Sequence, residues 1–76
     1  MNALQFIKLK INYLSGLFPS VNFKYEFNST NNLFLIKIKP KKNFTETELL
    51  INKLDLILSE FSNLYDYVDL VVSTHY

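Results

Sequence analysis

The residues predict one small α+β domain with the element order αββαβ. Two stretches of helical period, one on each side of a pair of alternating apolar and polar runs, carry that expectation, and a short β-branched run near the end of the sequence supplies the third strand. With 76 residues there is room for one core, so residues 1–76 are read as a single domain. A core of this size is marginal by itself, and many such domains lean on a metal, disulfides or a partner. The sequence has no cysteine, so disulfides, thiol catalysis and cysteine-based zinc sites are excluded.

The first helix is expected over roughly Asn2 to Leu17. Leu4, Ile7, Ile11, Leu14 and Phe18 recur at helical spacing and form one stripe. A second stripe, Phe6, Leu9, Tyr13 and Leu17, runs parallel to it about one third of a turn away. Gly16 and Pro19 punctuate the end. One sheet-facing helix needs an apolar arc of only about 100°. The second stripe is surplus to that need and is read as a protein interface.

Two strands follow. Val21, Phe23, Tyr25 and Phe27 alternate with Asn22, Lys24, Glu26 and Asn28. The run Asn28 to Asn32 is turn chemistry, because Asn and Ser satisfy local backbone groups and Asn tolerates positive φ. Leu33 to Lys39 alternates again, with Phe34, Ile36 and Ile38 on the inner side, and Pro40 ends the run. The second helix is expected to open with a capping box from Thr45 to Glu48 and a hydrophobic staple from Phe44 to Leu49. It reaches about Asn63, burying Leu50, Leu54, Ile57, Leu58 and Phe61 and leaving Leu56 on the polar side. Tyr67 to Thr74 then reads as the third strand.

A helical crossover makes the second and third strands parallel. The favoured arrangement is a three-stranded mixed sheet of order 2-1-3, a split βαβ, with both helices on one face. The regular apolar alternation of the first strand argues for the central place. The alternative order is 1-2-3. In the order 2-1-3 the second and third strands are edges, and the third strand's run Leu70, Val71, Val72 carries no lysine to discourage pairing with another chain.

Charge is segregated along the chain. Residues 1–44 hold seven of the eight lysines and only Glu26, whereas residues 45–76 hold six carboxylates and only Lys53. The sequence contains no Gly-rich phosphate loop, nucleophile elbow or paired-histidine zinc motif. The single histidine, His75, stands next to the last residue. Glu60, Asp66 and Asp69 are the only acidic group close enough in sequence to consider for metal or acid–base work, and they sit where solvated charges are normal. The chain is therefore read as a non-enzyme that needs no cofactor or metal.

The leading expectation is a protein-interaction module forming a homodimer or a small hetero-complex through Phe6, Leu9, Tyr13 and Leu17, or through Leu70, Val71 and Val72. The alternative is a nucleic-acid-binding module that uses Lys24, Lys37, Lys39, Lys41 and Lys42 for phosphates and Tyr67 for base stacking. No apolar run approaches a membrane span, and a cytoplasmic protein is expected. The lysine-only basic residues and abundant asparagine suit an AT-rich genome. From size and composition, a bacterial or phage regulatory protein is the expectation: an antitoxin, an immunity protein or a component of a defence system.

Overall fold

The computed structural model describes residues 1–74. The elements are α1 (Ala3–Leu17), β1 (Val21–Asn28), β2 (Leu33–Pro40), α2 (Thr47–Leu64) and β3 (Asp69–Thr74), the expected αββαβ order. His75 lies outside the described residues.

α1 begins with a reciprocal cap. The Gln5 N–H donates to Asn2 Oδ1 at 2.8 Å, and the Asn2 N–H donates to Gln5 Oε1 at 3.0 Å. Two of the backbone donors orphaned at a helix start are thereby satisfied. The box expected at Thr45 and Glu48 does not form. α2 starts two residues beyond Thr45, with Glu46 at the cap position and no side-chain cap bond. Phe44 turns to Phe18 (ring centroids 6.1 Å apart), and Leu49 is exposed, so the staple is absent as well. Packing of Phe44 on the end of α1 outweighs the local capping preference.

β1 and β2 form an antiparallel hairpin from Val21↔Pro40 to Asn28↔Leu33. The turn is built from asparagine: the Asn31 N–H donates to Asn28 Oδ1 at 3.1 Å, and Asn32 adopts φ 52°, a conformation that Asn tolerates better than most residues. Asn32 also ties the hairpin to the start of β3. Its Nδ2 donates to the Tyr67 carbonyl, and the Asp69 N–H donates to the Asn32 carbonyl.

The sheet order is β1-β2-β3, with β2 and β3 parallel from Leu33↔Asp69 to Ile38↔Thr74. The favoured order 2-1-3 is thus replaced by its alternative. The physical reason lies in the two faces of each strand. β2 is buried at Phe34, Ile36 and Ile38, and Leu35 on its other face is half-buried. β1 alternates its apolar residues with Asn22, Lys24 and Glu26, all exposed, the pattern of a charged edge. Burial on the inner face of β1 fades along the strand, from Val21 in the core to exposed Tyr25 and Phe27.

One hydrophobic cluster joins the layers. Ile7, Leu14 and Phe18 meet Ile36 and Ile38, while Leu50, Leu54, Ile57 and Phe61 contribute from α2. Only alternate residues of β2 belong to the cluster, so helical cover lies over one side of the sheet. At one end, Phe6 packs on Phe61 and Tyr65 with centroid distances of 5.8 and 5.6 Å. The Tyr65 hydroxyl donates to the Met1 carbonyl at 2.9 Å. β3 starts at Asp69 rather than Tyr67, because residues 66–68 are drawn into this closure: Val68 is buried, and the Tyr67 ring meets Tyr65 edge-on.

Candidate functional site

Early α1 residues meet late α2 residues. Phe6 touches Phe61, and the Lys10 ammonium lies 3.4 Å from Glu60. Tyr13 shares a groove with Lys53, Leu56 and Ile57. The helices are therefore antiparallel neighbours, with a seam between them on the side away from the sheet.

Of the four residues expected to form an interface on α1, one is misplaced. Phe6 is only 3% exposed and belongs to the core. Three rings, Phe6, Phe61 and Tyr65, close the end of the domain, and a side chain at the margin of the two stripes is recruited to that closure. Burying Phe6 turns the helix so that Leu4 is exposed and Ile11 only half-buried, although both were expected in the inner stripe. Leu9, Tyr13 and Leu17 do face outward, 52%, 48% and 44% exposed.

α2 adds to this strip. Leu56, which lines the groove beside Tyr13, is 66% exposed, and Leu49, two turns earlier on the same side, is exposed too. By sequence, Leu49 reads as half of a staple and Leu56 as a polar-side residue, which links neither to α1. Their spacing of seven residues was the available signal. The seam's polar members are Lys10, Lys53 and Glu60. The Lys10 ammonium also stands 5.9 Å from the Tyr13 ring centroid and 5.3 Å from that of Phe6, so one lysine bridges core, seam and α2.

The other expected interface, Leu70, Val71 and Val72, lies on an edge strand in the observed order. Val71 is exposed on the open sheet face, while Leu70 and Val72 are half-buried against the core.

The open face also carries the lysines. Lys24 stands directly opposite Lys37, and Lys39 opposite Asn22. Lys37 lies beside Ser73 of β3 and 3.2 Å from Glu26. Asn22, Lys24, Lys37 and Lys39 line one shallow depression. Lys41 and Lys42 are exposed just past the end of β2. Tyr67 does not join them. It is bonded to Asn32, beside the start of β2, and Lys39 is six residues further along that strand, about 20 Å away at the usual rise. The topology therefore places Tyr67 at the opposite end of β2 from Lys39, and about 13 Å along the strand from Lys37.

The carboxylates considered for chemistry do not assemble. Glu60 is committed to Lys10, and Asp66 and Asp69 are exposed. Among the described residues no group of three or more His, Cys, Asp or Glu side chains is placed to hold a metal ion. Among the same residues, no helix is long and apolar enough to cross a membrane. Compared with known protein families, with curated proteins and with solved structures, the chain matches none.

Proposed function

We propose that this chain is a small non-catalytic protein-interaction module that binds through the outer seam of its helix pair. One observation carries the reading: Tyr13 of α1 and Leu56 of α2 line one groove between the helices, and Leu9 and Leu17 of α1 and Leu49 of α2, at helical spacing from them, are exposed as well. Apolar side chains gathered in this way mark interaction surfaces, and tyrosine is among the residue types enriched at the energetic centres of interfaces. The partner is a second copy or another protein that presents an apolar helix face, giving a homodimer or a small hetero-complex. The proposed biological role, that of a bacterial or phage regulatory, antitoxin, immunity or defence-associated protein, rests on size and composition alone.

The test is solution mass by light scattering over a concentration series at low and high salt, with partner capture from host extract alongside it. Tyr13→Asp places a charge at the middle of the seam on a half-exposed position, so folding should survive, as circular dichroism would record. The expected result is a lower assembly mass or lost capture. A folded Tyr13→Asp variant that assembles and captures like the parent would remove the seam from consideration.

A further inference from the structure

We propose that the lysine-bearing end of the open sheet face binds the phosphate backbone of nucleic acid without reading its sequence. The site lies on the opposite side of the sheet from the helix seam and does not depend on the reading of that seam.

The register creates the site. Directly opposed residues on one sheet face have Cβ atoms about 5 Å apart, and residues two apart on one strand stand about 7 Å apart. Lys24, Lys37 and Lys39 therefore occupy three corners of one small rectangle, with Asn22 at the fourth. The spacing from Lys37 to Lys39 resembles that of successive phosphates along a strand. Among the described residues, Glu26 is the one carboxylate bridged to this group, and it engages Lys37. Lys24 and Lys39 have no ion pair among the described residues, and Lys41 and Lys42 extend the charge beyond the strand end.

The central place of β2 matters here. Lys37 and Lys39 stand in the middle strand, and Asn22 and Ser73 on its two neighbours offer hydrogen-bond donors to phosphate oxygens. The fold itself derives no support from Lys24, because like charges directly opposed on a sheet are destabilising. An anionic ligand would relieve that repulsion.

The surrounding residues select the ligand class. All basic residues of the chain are lysine, so the forked guanidinium that reads guanine edges is absent. Tyr67 is at the opposite end of the sheet from Lys39, with its ring edge-on to Tyr65, so no aromatic ring stands within the lysine rectangle itself. The rectangle also has no apolar anchor that would enter a bilayer; exposed Val71 pairs with Leu35, one row away from Lys37. What remains is point-charge contact with phosphates, whose signature is salt dependence.

The experiment is fluorescence anisotropy with a labelled DNA duplex and its single strand, titrated at several salt concentrations, with phosphatidylserine vesicles in parallel. For the duplex, three to five phosphate contacts predict a slope of log affinity against log salt between about −2.7 and −4.5. Lys39→Ala should reduce that slope by about one, while Lys8→Ala, on the helix layer, should leave it unchanged. Lys24→Glu should weaken binding on the order of tenfold or more and at the same time raise the melting temperature by replacing repulsion with a cross-strand pair. A variant that simply misfolds would lose both. Failure of both DNA forms to bind at low salt would overturn the proposal, as would equal binding by the parent, Lys24→Glu and Lys39→Ala. Lysine-dependent binding to vesicles without binding to DNA would overturn it too, and would reassign the site to an anionic membrane surface.

Discussion

Phe6 and Leu9 are three residues apart on α1 and belong to the same stripe by sequence, yet Phe6 is in the core and Leu9 in solvent. The difference is tertiary. Phe6 meets two rings that arrive from the far end of the chain, Phe61 and Tyr65, and such ring pairs favour burial beyond their area. The two positions should therefore respond differently to truncation. Phe6→Ala is expected to lower unfolding free energy by about 3–5 kcal/mol, a large share of the stability of so small a domain. In the monomer, at concentrations below any self-association, Leu9→Ala should stay within about 0.5 kcal/mol, as surface changes usually do. Urea denaturation of the two variants measures both. Asn32 is the reverse case, because its role was readable: the positive φ suits an asparagine turn, although its bond to the Tyr67 carbonyl across the fold was not.

At the scale of elements, the two helix starts show which local signals survive folding. Thr45 and Glu48 have the spacing of a capping box, but packing of Phe44 on Phe18 sets the entry to α2 and leaves the box unmade. Asn2 and Gln5 also have box spacing and do form one. Asn2→Ala should therefore destabilise the protein by about 1 kcal/mol, whereas Thr45→Ala should have no measurable effect, both read from chemical denaturation. Strand ends follow the same logic. β3 loses Tyr67 because aromatic closure with Tyr65 holds that residue outside the sheet.

For the whole molecule, the decisive feature is the place of β2. In the middle of the sheet its backbone is paired on both sides, whereas every second amide of an edge strand points to solvent. Native-state hydrogen exchange should accordingly find uninterrupted protection from Phe34 to Ile38 and alternating protection along β1. Continuous protection of β1 with an alternating β2 would restore the order 2-1-3. The same arrangement separates the two candidate surfaces. The apolar seam lies on the helix layer and the lysines lie on the bare sheet face, so substitutions on one are expected to leave the other's binding intact.

Element number, type and order follow from the sequence, because hydrophobic period and turn chemistry are local properties of neighbouring residues. The inner faces of β2 and α2 follow for the same reason, apart from Leu58, expected in the buried arc but only half-buried, as do the shared face of Lys24, Lys37 and Lys39 and the outward position of Leu9, Tyr13 and Leu17. Three matters were decided only by tertiary structure. The first is the sheet order, since alternation shows which face of a strand is buried but not which edges are paired. The second is the burial of Phe6, whose partners lie more than fifty residues away. The third is the distance between Tyr67 and the lysines, which depends on the direction and register of β3 against β2. Each depends on contacts between segments remote in sequence, and no local pattern of residues encodes them.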